Sequence, residues 1–426
     1  MAERKRGQEI RGLSGRLGLP DAMVDDHITR GTSLDEFRAV ALEHVAARSA
    51  GTTISGHHGS VQMGASGDDP AVKVRAMAEA ISVRFLPSSM VSGNAPSEHA
   101  RSYTGYSVLD MGAELLEARG ERVGRGDRNR LVMRALGTSD FPILLASASD
   151  KILLSAYQLV PTTYRRIAAQ RDLNDFKTKN LVRVGEFPDL LPVAENGEYK
   201  AGALSEGKET ARLTSVGRRL MLTRQALIND DLGALADFAR GAAGSAARYE
   251  NATVWAVLTG NAKLGDGKGL FHADHYNLAA NADVGAISVT TVGYGREAVR
   301  IQKTPDGNHL NQGPVLLVVP ASLETRAEQF VSPFAYPATP DAVVPERLRS
   351  LNLVVESLLD ADSRTGWYLA CDPNILPGIQ YGWLSGNSGP QTYQEVKPGV
   401  GIEFQVWEDF YAAPLDYRPW HKNPGA

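Results

Sequence analysis

Hydrophobic and polar positions along the chain change period several times. Phe37, Val40, Ala41 and Val45 recur at helical spacing behind Ser33-Leu34-Asp35-Glu36. That tetrad is a capping box, in which the serine caps the first turn and Glu36 reaches back. The pattern predicts a small helical hairpin over residues 1 to about 50, followed by a Gly/Ser/His/Asp-rich linker from Gly51 to Pro70. Helices are expected over Ala71 to about Arg84 and from Ser107 to about Arg119. In the second, Val108, Met111, Leu115 and Ala118 share one face. Gly120 to Arg130 reads as an exposed Arg/Gly connector. A boundary is expected near Gly137, because no strand pattern precedes it and every tryptophan follows it.

From Asp140 the elements alternate in type. Asp140 is placed to cap a helix running through Ile143, Leu144, Ile152 and Tyr157, which Pro161 ends. Lys179 to Val216 reads as a strand-and-glycine arm. Leu181 to Val184 and the stretch around Tyr199 look extended, and Glu195-Asn196-Gly197-Glu198 suits a type I′ hairpin tip. The arm has too few large apolar residues to be a core strand pair, which predicts that it packs on a neighbouring subunit. Arg212 to Thr223 is strand-like. Asp230 or Asp231 then caps a long helix with Leu235, Phe238, Ala242, Ala246, Tyr249, Ala252 and Ala256 as its stripe.

Further on, a short strand or turn is expected at Ala286–Val292 and a helix at Gly293–Lys303. Pro314–Val319 reads as a buried strand, and Ser322 as the cap of a helix from Leu323 to Phe330. Strands are expected at Leu351–Val355, Trp367–Cys371, Ile402–Trp407 and Phe410–Tyr417, the last two broken by Glu408-Asp409. The fold class is α+β.

Composition narrows the function classes. With 426 residues the chain can build a sizeable core, and 43% hydrophobic residues with a mean hydropathy of -0.23 fit a soluble globular protein. A net charge of -4 argues against a monomeric protein that binds DNA by charge. Cys371, the single cysteine, excludes an internal disulfide framework and fits a reducing cytoplasm. No apolar run reaches the roughly 20 residues of a membrane span, and no secretory signal follows Met1–Arg6.

Candidate chemistry is sparse. Phe271-His272-Ala273-Asp274-His275 holds metal-ligand types, which raises a metal-dependent hydrolase built on His272, Asp274 and His275. No third ligand sits at a recognisable spacing, so a loop fixed by side-chain hydrogen bonds is the expectation. Gly265-Asp266-Gly267-Lys268-Gly269 lacks the context of a phosphate loop and reads as a turn. His57-His58 lies in the linker, and Cys371 ends an apolar strand as a small hydrophobe. Arg165-Arg166 and Arg218-Arg219 flank the arm and suit acids on a neighbour. No residue set converges on catalysis, and no metal or cofactor is expected.

Three stretches carry a resemblance. They are Thr223-Arg224-Gln225-Ala226-Leu227 with Asn229 to Leu235, Asp266 to Leu278, and Trp407-Glu408-Asp409-Phe410 through Asp416-Tyr417-Arg418. In this order the chain resembles the major capsid subunits of tailed phages, in the Mu-like major head subunit group. The likeness spans about residues 138 to 420 and implies the Hong Kong 97 capsid fold. It would make 137–171 the N-terminal arm and 172–216 the E-loop. Residues 217–285 and 393–426 would be the peripheral domain, with a spine helix at 230–260, and 286–392 the axial domain. Residues 1–136 resemble the helical scaffold-like region of prohead protease–capsid fusions, and their removal in maturation is an open expectation.

The resemblance implies a virion protein, assembled in the host bacterial cytoplasm into hexamers and pentamers of an icosahedral shell. That shell would enclose double-stranded DNA without reading its sequence. Expected partners are further copies of the chain, a prohead protease, a portal protein and a decoration protein. An encapsulin-like nanocompartment is the alternative with the same fold. Expected inter-subunit contacts are Phe141 and Tyr157 in the arm, Tyr199 and Lys200 near the E-loop tip, and Arg218 and Arg219 at its base. Lys200 and Lys208 are the lysines available there for an isopeptide crosslink.

Overall fold

The computed structural model describes residues 29–32, 37, 40, 69–85, 96–121, 126–181, 209–229, 232–304, 307–332 and 343–426. Met1–Ala65 and Ser66–Ala426 form two compact units, and every element below belongs to the second. The capping box at Ser33–Glu36, the arm tip with Tyr199, Lys200 and Lys208, and the cap residues Asp230 and Asp231 lie outside the described residues.

Among the described residues the helices of the first part of this unit are α1 Pro70–Phe85, α2 Glu98–Tyr103, α3 Val108–Ala118, α4 Arg128–Leu136 and α5 Asp140–Leu159. Ser107 starts α3 through a true capping box. Its hydroxyl accepts from the Asp110 N–H at 3.1 Å, and Asp110 accepts from the Ser107 N–H at 3.3 Å. The buried face of α3 is wider than the expected stripe: Leu109, Gly112, Ala113 and Leu116 join it, while Ala118 is exposed. Part of the expected connector is helical, because the Asp127 carboxylate caps α4 by accepting from the Arg130 N–H at 3.0 Å. At α5, Ser139 holds the cap position, and Asp140 pairs with Arg119 at 2.8 Å instead of capping.

Packing runs through Gly137 without a break. Met77 and Ile81 of α1, Met111 and Leu115 of α3, Val132 of α4 and Phe141 and Leu144 of α5 share one apolar core. Leu222, Leu227, Ile402 and Phe404, from later in the chain, close that core.

The strands are β1 Ala169–Gln170, β2 Lys179–Leu181, β3 Glu209–Ala211, β4 Thr214–Thr223, β5 Leu316–Val319, β6 Asn352–Val355, β7 Trp367–Ala370, β8 Ile379–Trp383, β9 Gln391–Lys397, β10 Gly401–Pro414 and β11 Trp420–Asn423. The later helices are α6 Arg224–Ile228, α7 Leu232–Thr259, α8 Val289–Arg300, α9 Glu324–Val331 and α10 Glu346–Arg349.

The first sheet has the order β1-β8-β10-β4, with β9 also on β10. The first half of β10 pairs antiparallel with β4 (Phe404 opposite Leu220) and β9; its second half pairs with β8 (Tyr411 opposite Gly382). The second sheet has the order β11-β7-β5-β6, with only β5 and β6 parallel. A separate ladder joins β2 and β3, Lys179 opposite Ala211, so the arm leaves and re-enters as one antiparallel pair. Tyr164, Val254, Trp255, Leu258, Tyr368, Ile379, Phe410 and Trp420 form a second core beneath α7.

Several sequence expectations change. β10 is one unbroken strand, because Glu408 and Asp409 both have partners in the fold: Trp383 donates to Glu408 and Ser215 to Asp409. Residues 289–292 are helical, because Ser288 caps α8 by accepting from the Thr291 N–H at 3.2 Å. Ser322 does not cap α9; its hydroxyl donates to the Arg364 carbonyl at 2.6 Å. Asp360 instead accepts from the N–H groups of Ala321 and Ser322 at 2.8 and 3.1 Å.

The expected α7 stripe holds at Leu235, with Phe238, Ala242 and Tyr249 at the margin of the cores, but the fully buried line beyond it lies one position around. It runs Ala236, Ala239, Ala243, Ala247, Glu250, Val254, Leu258, while Ala252 and Ala256 are exposed. Sheet membership also departs from a division at residue 392: β8 belongs to the first sheet and β11 to the second.

Candidate assembly site

Where α5 ends, the segment from Tyr157 to Arg165 meets α7 and the first sheet at a buried polar junction. Glu250 lies on the inner line of α7 and is fully buried. It accepts hydrogen bonds from the Tyr157 hydroxyl at 2.5 Å, the Tyr164 hydroxyl at 2.8 Å and the Trp383 indole N–H at 3.2 Å. The same indole donates to Glu408 of β10 at 2.8 Å. Arg165 sits outside this group, donating to Tyr157 at 3.0 Å and to Tyr164 at 3.3 Å. Its guanidinium also stands 5.7–5.9 Å from the rings of Tyr157, Tyr164 and Trp383, within cation–π range.

Burial and the neighbouring Glu250 charge push both phenols well above their ordinary pKa, so they remain donors. Burial, then the hydrogen bond and charge of Glu250, push Glu408 up to about 10. A second set lies beside this one. Trp255 donates to Thr163 at 3.0 Å, Asn251 donates to Glu356 at 3.0 Å, and the Tyr164 N–H donates to Asn251 at 3.3 Å. The chain then runs along β8: the Arg171 N–H donates to the Tyr381 carbonyl at 2.8 Å and the Leu173 N–H to the Trp383 carbonyl at 2.9 Å. A Cβ at Gly382 would fall 2.2 Å from the Arg171 carbonyl oxygen, so glycine lets these backbones touch.

On the other side of Glu408 lies an open groove of ≈ 380 Å³ between β4 and α7. Val216, Phe238, Ala242, Ala246, Tyr249 and Trp407 give it an apolar lining. A Cβ at Gly241 would meet nothing within 4 Å, so the α7 wall is open there. Among the described residues β4 lies at one edge of the sheet, and most of its residues are exposed. Gly217 faces Trp407 across the ladder; a Cβ there would stand 2.7 Å from the Val406 oxygen and 2.9 Å from the Trp407 Cβ.

The expected contact residues fall in different places. Phe141 is 1% exposed and packs inside the chain's own core; a Cβ at Gly112 would meet its ring at 3.2 Å. Tyr157 is the arm residue of the polar junction. Arg218 is exposed on β4 and lines the groove. Arg219 is exposed and pairs with Glu403 at 3.3 Å. Tyr199 and Lys200 lie outside the described residues. Arg165, expected to meet an acid on a neighbour, directs its guanidinium to two tyrosines of its own chain. The reading of the residues missed Glu250, Glu408, Tyr164 and Trp383. The available signal was an acid in the small-residue stretch of α7, at helical spacing from Ala243, Ala247 and Val254.

The His/Asp segment is a hydrogen-bonded loop. His275 Nε2 lies 2.7 Å from Asp266, Lys268 pairs with Asp274 at 2.5 Å, and the Leu264 N–H donates to the Lys268 carbonyl at 2.8 Å. Among the described residues no group of three His, Cys, Asp or Glu side chains could hold a metal ion. No single described helix is long and apolar enough to cross a membrane. Burial pushes the Cys371 thiol up to about 12, which makes it an inert part of the core.

Residues 207–423 match the family model described as phage capsid protein, and the chain belongs to that family. No curated protein matches the sequence significantly. Among solved structures, the chain is similar to a procapsid protein of bacteriophage JBD30, at 13% identity over 68% of this chain and 76% of that one, with a TM-score of 0.39. It is also similar to a chain from Mycobacterium phage Adephagia (11% identity, 63% and 91% covered, TM-score 0.38). A virus-like particle from Pyrococcus furiosus is a third likeness (10% identity, 65% and 97% covered, TM-score 0.37).

Proposed function

We propose that this phage capsid protein is the Mu-like major head subunit its sequence resembles. It builds hexamers and pentamers of an icosahedral shell around double-stranded DNA, in the Hong Kong 97 manner. Its role is structural rather than enzymatic. The observation that carries this reading is the open β4 edge with its apolar groove, on a chain of the phage capsid family. An unpaired edge strand offers a row of backbone donors and acceptors to another chain.

In this reading residues 172–216 form the E-loop that lies across a neighbour, and the β2–β3 ladder is its root. Arg218 and Arg219 stand at its base, and Tyr199 and Lys200 near its tip. α7 is the spine helix, and the β5–β6–β7 layer belongs to the axial domain. Residues 1–136 act as a scaffold-like region. A prohead protease, a portal protein and a decoration protein are the expected partners, with assembly in the host cytoplasm.

Deletion of Glu195 to Glu206 tests the reading. The expected product is a soluble, folded subunit by circular dichroism that gives no closed shells by electron microscopy. Normal shells from the deletion variant overturn the E-loop assignment.

A further inference from the structure

We propose that Glu250 and Glu408 form a one-proton lock, which fastens the arm to the first sheet more tightly as the pH falls.

The argument begins with charge balance. Two carboxyls are buried at the junction, Glu250 fully and Glu408 to 2% exposure. Two ionised carboxylates in contact inside a protein repel strongly, and burial penalises each. The facing groups offer little compensation. From the arm come Tyr157, Tyr164 and Arg165; from β8 come Trp383 and Tyr381; from β10 itself comes Asp409, whose carboxylate already takes the Ser215 hydroxyl. Arg218 lines the groove side but is exposed to solvent. Among the described residues Arg165 is the one cation joined to the network, and it reaches Glu250 through the two phenols.

Hydrogen bonding decides which acid keeps the proton. Glu250 receives three donors, as a carboxylate does. Glu408 Oε2 has no hydrogen-bond partner among the described residues, and the two carboxyls stand together on the one Trp383 indole N–H that both accept. A proton on Glu408 turns that oxygen into a donor toward Glu250 and removes one of the two charges. The Tyr157–Glu250 bond that holds the end of α5 then rests on a single compensated charge.

The direction of the pH effect follows. Glu408 has an ordinary value of 4.5 and is pushed up to about 10 in the fold. The folded state therefore binds a proton that the unfolded chain has released. Stability from this group is complete below pH 4.5 and is lost as pH rises toward 10, by about tenfold in the folding constant per pH unit for one proton.

Urea unfolding of the full chain from pH 5 to pH 9 tests this, with Glu408→Gln beside the unaltered protein. The amide is neutral at every pH. The expected result is that Glu408→Gln loses the tenfold-per-unit component and is the more stable of the two at pH 9. Infrared spectra at pH 7 should also show a protonated-carboxyl carbonyl band that weakens in the variant. Equal pH slopes in the two proteins overturn the proposal. So does the absence of any such band in the unaltered protein, a result that stands even if the variant does not fold.

Discussion

The imidazole of His275 lies flat on the ring of Tyr417, with centroids 3.9 Å apart and planes 4° from parallel. The contact joins the loop after α7 to the turn between β10 and β11, two stretches that each carry the resemblance to capsid subunits. His275 is thereby accounted for without a metal: Asp266 holds its Nε2, and Asp274 is spent on Lys268. His275→Ala removes a buried ring and its stacking partner, and is expected to cost about 2–4 kcal/mol in urea unfolding. A chelator should leave the melting temperature unchanged.

Arg418 and Asp416 are paired inside the same turn, with nitrogen–oxygen distances from 2.6 to 3.0 Å. They are 3% and 1% exposed by side chain, so the pair is desolvated. Arg418→Leu leaves the Asp416 charge buried without its partner. The expected loss is about 3–5 kcal/mol, and the double variant Asp416→Leu with Arg418→Leu should recover part of it. Chemical unfolding of the two variants beside the unaltered protein measures both terms.

His421 on β11 is buried against Gly295 of α8, where a Cβ would stand 2.7 Å from its ring, and neither ring nitrogen has a hydrogen-bond partner among the described residues. Burial pushes it from 6.5 down to about 4, opposed by the charge of Asp283. The folded state therefore holds it neutral. Its contribution is present above pH 6.5 and is lost as pH falls toward 4, on the order of 3 kcal/mol in all. Thermal melts between pH 7 and pH 4 should show this loss, and His421→Leu should flatten it. The effect is opposite in sign to that of Glu408, so the two variants separate the two groups.

Arg219 distinguishes assembly from folding. Its guanidinium is exposed while Glu403 is largely buried and also accepts from Gln405, so Arg219→Ala should change subunit stability by no more than about 1 kcal/mol. If β4 is a subunit contact, the same change lowers the yield of shells measured by sedimentation, together with Arg218→Ala.

How much could be read from the chain varies with the physics of each element. α3, α5 and α7 were legible because apolar spacing acts within a few residues, helped at α3 by the Ser107 cap. β5, with all four residues buried, was legible from a continuous apolar run. β8, β9 and β11 were not anticipated. Their residues are polar or aromatic at many positions, and their partners lie elsewhere in the chain. The break expected at Glu408-Asp409 shows the limit most clearly. Two acids in a strand argue for a turn until Trp383, Ser215 and Glu250 stand beside them.

The order of residues alone carries the alternation of helices and strands, the α+β class, the turn at Gly265–Gly269 and, through three ordered stretches, the capsid family. Those depend on short-range spacing, which the chain holds in its own order. Folding in three dimensions settles how α7 turns on its axis, that β10 is continuous, that Phe141 lies in the core of its own chain, and that Tyr157, Glu250 and Glu408 meet. Whether a buried acid or an exposed arginine is tolerated depends on partners from distant segments, because desolvation is offset only where the fold brings a donor or an opposite charge within hydrogen-bonding distance.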